Sequence, residues 1–183
     1  MTELETRCLE AFPQWLRMLG QDATALAQLL SADSLPQVAK KYVAGGLNYL
    51  FKSLDLIPDG IEELGFLDDA FVLRIASRLA LADAPQAREA DLSGTLSRLS
   101  GEAPLIDELL AQSAARLERF VRELTKGAAR GRTVAEILQD PAVLRTFVAE
   151  VHSWAKSYTP PSFRRDEKNL IKLKAFLGTK LPA

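Results

Sequence analysis

Residues 105–124, LIDELLAQSAARLERFVREL, carry the clearest structural pattern in the chain. Their apolar side chains recur at steps of three and four residues, which is the spacing of one face of an α-helix. The opposite face carries charged side chains, namely Glu108, Arg116, Glu118, Arg119, Arg122 and Glu123. The pattern predicts a long amphipathic helix over residues 103–127.

Apolar spacing of the same kind extends over most of the remaining sequence. Thr133 and Glu136 have the spacing of a capping box, and Asp140 before Pro141 indicates a second helix start. No stretch alternates apolar and polar residues for long enough to indicate a sheet. We therefore predict an all-α protein, a multi-helix bundle with a helical hairpin around an acidic turn. The other predicted helices cover residues 3–18, 22–32, 36–52, 58–64, 67–82, 86–99, 134–156 and 166–177.

Length and composition bear on the domain organisation. The 183 residues are 48% apolar and 26% charged, which is typical of a globular protein with its own core. Proline and glycine interrupt the segment between residues 83 and 104, so we place a boundary in it. The prediction is a first region over residues 1–84 and a C-terminal helical region over residues 85–183. One continuous bundle is the alternative.

The charge balance and the scarcity of reactive side chains exclude several function classes. A net charge of −1 argues against a dedicated nucleic-acid-binding protein, which usually needs an excess of basic residues. One cysteine and one histidine exclude an internal disulfide, a cysteine zinc cluster and a multi-histidine metal site. The sequence has neither a signal-peptide pattern nor an apolar run of about 20 residues, so we expect a cytoplasmic protein without a transmembrane segment.

An acidic segment stands out at residues 54–69, LDLIPDGIEELGFLDD. It resembles the signature of the YkvA-like family of bacterial proteins of unknown function. The match consists of an aromatic element at residues 49–51, D-L-I-P-D at residues 55–59, and G-x-x-D-D from Gly65 to Asp69. Ser53 and Glu62 stand where members of that family often have proline. The resemblance implies a helical hairpin and a bacterial source, and it implies no established activity.

Two interpretations of the acidic segment stay open. Asp55, Asp59, Asp68 and Asp69 can form a site for a divalent cation such as Mg²⁺, Ca²⁺ or Mn²⁺, because hard cations prefer carboxylate oxygens. The alternative is that these acids cap helices, since a carboxylate at a helix N-terminus accepts unpaired backbone N–H groups and meets the positive end of the dipole. Four acids are more than two caps require, which is why we keep the metal hypothesis.

The C-terminal segment is basic and amphipathic. Its candidate interaction residues are Arg164, Arg165, Lys168, Lys172 and Lys174. A basic face of this kind can bind an acidic protein partner or an anionic membrane surface. It can also pack on its own bundle or cover the acidic segment.

No complete catalytic set and no nucleotide-binding loop is recognisable, so we predict no catalytic residues. The expected function is that of a non-enzymatic helical interaction or scaffold protein, cytoplasmic or peripheral at the inner membrane. The first alternative is a carboxylate-based divalent-metal protein, which would reopen the question of enzymatic activity. The second alternative is peripheral membrane binding through the basic C-terminal helix.

Overall fold

A computed structural model provides the structure and describes residues 1–61 and 63–183. Two-residue strands, β1 (Ala128–Ala129) and β2 (Arg132–Thr133), pair antiparallel. The all-α prediction is confirmed, since this hairpin is the one piece of β-structure in the described residues. The helices are α1 (Glu3–Leu30), α2 (Gln37–Tyr49), α3 (Leu67–Asp83), α4 (Ala87–Ala90), α5 (Thr95–Leu110), α6 (Ala114–Leu124), α7 (Val134–Gln139), α8 (Pro141–Ser157) and α9 (Glu167–Lys180).

Helix α3 lies at the centre of the bundle. It packs chiefly between α2 and α5, and α1 lies against α2, α5 and α8. Residues around the whole circumference of α3 are buried, as expected for a helix that is apolar on most sides. Three charged side chains are buried with them, namely Asp68, Asp69 and Arg74. This central helix therefore carries the buried charges that need a physical explanation.

Two adjacent glycines let α2 approach its neighbours closely. A Cβ at Gly45 would lie 3.2 Å from the backbone of Leu124 at the end of α6. A Cβ at Gly46 would lie 3.1 Å from the Cβ of Ala76 on α3. Larger residues at these positions would push α6 and α3 away from α2. The two glycines therefore allow close helix packing, although glycine lowers the intrinsic helix propensity of α2.

The first two predicted helices form one continuous helix, α1. The prediction ended one helix at residue 18 and began the next at residue 22, on either side of Gly20. In the structure Gly20 lies inside α1 where α8 crosses it, and a Cβ there would lie 3.3 Å from the carbonyl oxygen of Ala155. The glycine thus permits a close helix crossing and does not end the helix.

Two other predicted helices are each interrupted in the structure. The segment at residues 86–99 is divided into α4 and the start of α5, because Gly94 has a left-handed backbone with φ of 72°. The long helix predicted over residues 103–127 is broken at Ala111, whose φ is 49°. A 3₁₀ turn over Ala111–Ser113 then connects α5 to α6.

The hairpin of β1 and β2 connects α6 to α7. Arg130 and Gly131 form its turn with φ values of 51° and 74°. Thr133 then caps α7 through the predicted capping box. Asp140 caps α8 as predicted, its carboxylate accepting the N–H of Ala142 at 2.9 Å, and this cap divides the helix predicted over residues 134–156.

The hydrophobic core is shared by the two halves of the chain. Its buried residues extend from Cys8 to Leu181, and α3 of the first half packs against α5 of the second. The division at residue 84 stays a prediction, since a shared core does not test whether either half folds alone. None of the described helices is both long and apolar enough to cross a membrane.

Candidate functional site

The loop between α2 and α3 is held in place by Tyr49 and Asp68. The Tyr49 hydroxyl donates to Asp68 Oδ2 at 2.5 Å and accepts the N–H of Leu56 at 2.7 Å. The same carboxylate oxygen accepts the N–H of Ile57 at 3.2 Å. These bonds satisfy the buried backbone of the D-L-I-P-D stretch and fix it against the first turn of α3.

The predicted helix over residues 58–64 is wrong for the described residues. Residues 58–61 and 63–64 lie in turns, and Glu62 lies outside the described residues. Gly65 explains part of this path, because a Cβ there would lie 2.2 Å from the carbonyl oxygen of Asp59. The loop backbone thus crosses directly over Gly65, at a distance that only glycine allows.

The structure brings the four predicted acids into one neighbourhood, which we call the acidic cluster: Asp55, Asp59, Asp68 and Asp69. Asp68 is fully buried and Asp69 is 3% exposed, whereas Asp55 is half-buried and Asp59 is exposed at the rim. Three carboxylate oxygens have no hydrogen-bond partner among the described residues although they are buried. They are Asp55 Oδ1, Asp68 Oδ1 and Asp69 Oδ2.

Neither Asp68 nor Asp69 is the N-cap residue of α3. The N-cap residue of α3 is Phe66, with a left-handed φ of 69°, and in the described part of the chain its side chain makes no capping hydrogen bond. Asp68 and Asp69 do lie in the first turn, where the helix dipole favours negative charge. Oδ2 of Asp68 accepts the hydrogen bonds that hold the preceding loop, and its Oδ1 has no hydrogen-bond partner among the described residues.

Burial raises the pKa values of the whole cluster. Desolvation, followed by the charges of Asp59 and Asp68, raises the pKa of Asp55 to about 7. Desolvation also raises the pKa of Asp68 to about 6, against the lowering effect of its hydrogen bonds from Tyr49 and Ile57.

The remaining two acids shift in the same direction. The pKa of Asp69 lies well above its usual range, first because of burial and then because of the other three carboxylates. Partial desolvation raises the pKa of Asp59. The cluster therefore binds protons more readily than isolated carboxylates do.

Aromatic side chains close the inner side of the cluster. The Tyr158 ring packs edge-on against Phe66, with 5.2 Å between centroids, and stacks on Trp154 at 5.1 Å. Its hydroxyl donates to the carbonyl oxygen of Leu16 at 2.7 Å. Burial, with the charges of Asp69 and Asp59, raises the Tyr158 pKa. The Tyr158 ring therefore lies close enough to the acidic cluster to be affected by its charge.

The described residues contain no group of three or more carboxylate, histidine or cysteine side chains already arranged around a metal position. An ion at the cluster would therefore be held by one or two carboxylates and complete its shell with water or small shifts of the loop. Lys52 is the one base whose charge acts on Asp55 in the described part of the chain, and it lowers the pKa of that acid.

One ion pair among the described residues joins the basic C-terminal segment to the acidic segment. Arg164 forms an ion pair with Glu63 at 2.8 Å between Nε and Oε1. The apolar face of α9, with Leu170, Leu173 and Leu177, is buried in the bundle. The other four predicted interaction residues are exposed, namely Arg165, Lys168, Lys172 and Lys174. Of the five, Arg164 is thus the one that pairs with the acidic segment among the described residues.

A buried ion network on α3 was not predicted from the sequence. Arg74 is fully buried with its guanidinium 4.0 Å from the centre of the Trp15 ring, and its Nη2 lies 2.8 Å from Glu102 and 3.9 Å from Asp22. Arg98 also pairs with Asp22. The one signal in the sequence is a base within the apolar run of α3.

Comparison with known proteins adds one finding. No curated protein and no solved structure matches the chain. The family model that matches is described as "Protein of unknown function (DUF1232)" and covers residues 39–75. That range contains Tyr49, Gly65 and the whole acidic cluster, while the YkvA-like label stays a prediction. Residues 39–75 are therefore similar to this family of unknown function, and the candidate site lies within the matched range.

Proposed function

We propose that the acidic cluster binds a divalent cation, with Asp68 and Asp69 as inner ligands and Asp55 and Asp59 closing the site from the loop. The observation that carries this proposal is the set of three buried carboxylate oxygens without a partner among the described residues. Buried polar groups are nearly always paired, and buried charges are paired or bind metals. A cation supplies the partner that these oxygens lack.

The hydrogen bonds within the site favour the same conclusion. Tyr49 and Ile57 both bond to Oδ2 of Asp68, which fixes the carboxylate plane and leaves Oδ1 available. Partners of this kind orient metal-binding carboxylates and are important for affinity. Raised pKa values mean that the empty site holds protons, which a cation must displace.

The expected ion is Mg²⁺ or Mn²⁺. Mg²⁺ usually takes one or two carboxylates and keeps several waters, whereas Ca²⁺ prefers six to eight oxygen ligands. The cluster offers a few carboxylates, and its loop side reaches solvent through Asp59. Water can therefore complete a small coordination shell from that side.

The test is binding of Mn²⁺ to the chelator-treated full chain, followed by electron paramagnetic resonance, with competition by Mg²⁺ and Ca²⁺. We expect saturable binding with a stoichiometry near one, which weakens as pH falls from 8 to 5 because protons return to the carboxylates. Asp68→Asn and Asp69→Asn should abolish it. Asp33→Asn changes an exposed acid outside the cluster and should have no effect.

No saturable Mn²⁺ binding at pH 8 in the folded protein would refute the proposal. Binding that survives both substitutions would place the ion elsewhere. The interaction or scaffold role stays a prediction in either case, because cation binding is compatible with it. Enzymatic activity would become worth testing only with a bound ion.

Membrane binding is supported by one observation on α9. Ile171 is 64% exposed and lies beside Lys168, Lys172 and Lys174, which form no ion pair among the described residues. One apolar side chain among three bases favours weak, electrostatic attraction to anionic headgroups. Sedimentation with phosphatidylserine vesicles at low and high salt tests it. Replacing the three lysines by glutamine should abolish sedimentation, and binding insensitive to salt would contradict this role.

A further inference from the structure

A second site is suggested by a cleft of about 680 Å³ between α1 and α8, which we call the α1–α8 cleft. Its volume lies in the range of small-molecule sites, roughly 300–1,000 Å³. The close crossing at Gly20 forms its floor, because α8 approaches α1 there without an intervening side chain. The polar and aromatic side chains of its walls are Arg17, Gln21, Thr24, His152, Lys156 and Tyr158.

The charged side chains that line the cleft are of one sign. Arg17 and Lys156 lie on opposite walls, and no carboxylate belongs to the described lining. Neither base forms an ion pair within the part of the chain that the structure describes, although the protein contains more acids than bases. Two unneutralised bases facing one concave space raise the local concentration of anions.

His152 provides an independent observation. Its Nε2 is buried and has no hydrogen-bond partner among the described residues, although the ring lines the cleft. An unpaired buried ring nitrogen is costly, and a ligand oxygen would satisfy it as donor or acceptor according to the tautomer. Thr24 and Gln21 add further donors on the opposite wall, which α1 forms.

The cleft also offers a rigid apolar wall. The Tyr158 ring is fixed by its hydroxyl bond to Leu16 and by stacking on Trp154. Ala25 and Ala155 extend this surface. The flat or apolar body of a ligand could pack on this wall, and an anionic group of the same ligand could contact the bases that line the cleft.

We propose that the α1–α8 cleft binds a small molecule that carries a phosphate or carboxylate group, contacted by Arg17, Lys156 and His152. The guanidinium of Arg17 provides the planar donor pair that oxyanions accept. None of the four acids of the acidic cluster lines this cleft, so the two sites consist of different residues. Its existence does not depend on cation binding.

The single histidine of the chain provides a site-specific probe. Proton NMR of the His152 ring during titration with pyrophosphate or citrate, in chelated protein at constant ionic strength, reports binding at this cleft. We expect saturable shifts with a dissociation constant of about 1 mM or lower for at least one probe. The two probes distinguish phosphate from carboxylate preference.

The variant Arg17→Gln with Lys156→Gln should weaken binding at least about tenfold, which corresponds to about 1.4 kcal/mol. Arg145→Gln is the matched control, because it removes an exposed base of α8 outside the cleft. All of these bases are at the surface, so folding should be preserved. Unchanged His152 signals with both probes, or equal binding by the double variant, would overturn the proposal.

Discussion

Replacing Asp69 by asparagine should stabilise the metal-free protein at pH 8 and abolish its response to Mg²⁺. Asp69 is 3% exposed, and its Oδ2 has no partner in the described part of the chain. A buried polar atom left unpaired costs about 1–3 kcal/mol, and more when it is charged. Asparagine has nearly the same shape and no charge, so the part of this cost that is due to the charge should disappear.

The magnitude can be measured by thermal unfolding with a chelator present. About 1–3 kcal/mol corresponds to an increase in Tm of roughly 2–12 °C for a chain of this size. Saturating Mg²⁺ should reverse the order of stability, because an ion at 100 times its Kd stabilises only the wild type, by about 2.7 kcal/mol.

The pH dependence of this difference follows from the raised pKa of Asp69. A carboxyl with a raised pKa in the folded state keeps its proton there longer than in the unfolded chain. Its contribution to stability is complete below the unfolded pKa of about 3.9 and is lost as pH rises through the folded value. Wild type and Asp69→Asn should therefore converge near pH 4 and diverge as pH rises.

Asp91→Asn is the matched control, because Asp91 is a buried acid with a clear structural role. It is 7% exposed, and its two oxygens accept the N–H groups of Leu96 and Ser97 at 3.0 and 2.9 Å. In asparagine one of these oxygens is replaced by an NH₂ group, which would face a backbone N–H donor. This variant should therefore lose stability both near pH 4 and at pH 8. If Asp69→Asn also lost stability at pH 8, Asp69 would be a structural acid and the cation hypothesis would lose its main support.

Three further substitutions test the surroundings of the site by thermal or urea unfolding. Gly65→Ala should cost at least about 1–3 kcal/mol and weaken Mn²⁺ binding, because its methyl group would collide with the loop backbone, whereas Gly60→Ala has open space among the described residues and should be near neutral. Tyr49→Phe should cost about 1–3 kcal/mol by leaving a buried N–H unpaired; an unchanged Tm would contradict the anchoring role. Arg74→Met should cost about 3–5 kcal/mol, and a smaller loss would show that the ion network is dispensable.

The sequence was sufficient to predict that the protein is helical and where most of the helices begin. The apolar spacing of three and four residues predicted the amphipathic face of residues 114–124, and the caps at Thr133 and Asp140 are formed as predicted. Where the prediction was wrong, tertiary contacts decide the outcome. Gly20 resembles a helix end in sequence, and only the approach of α8 shows why a glycine stands inside a helix.

The loop of the site was harder to predict for the same reason. Residues 58–64 have a composition compatible with a helix, but Tyr49 and Asp68 bind the backbone of the preceding residues and set a different path. Such bonds join residues far apart in sequence. The four acids could be grouped from sequence because their resemblance to a known pattern preserves order and spacing. The hydroxyl that orients Asp68 carries no such signal.

Helix α3 offers an internal comparison between two kinds of buried charge. Arg74 is surrounded by Glu102, Asp22 and the face of Trp15, so its burial is compensated within the fold. Five residues earlier, Asp69 is buried to a similar degree beside three more acids, and the described residues supply no hydrogen bond to its Oδ2. The same helix thus neutralises one charge internally and leaves the other open. Breaking or omitting a buried pair is strongly unfavourable, and this contrast with Arg74 is why we propose a divalent cation as the partner of the acidic cluster at neutral pH, with protons in its place at low pH.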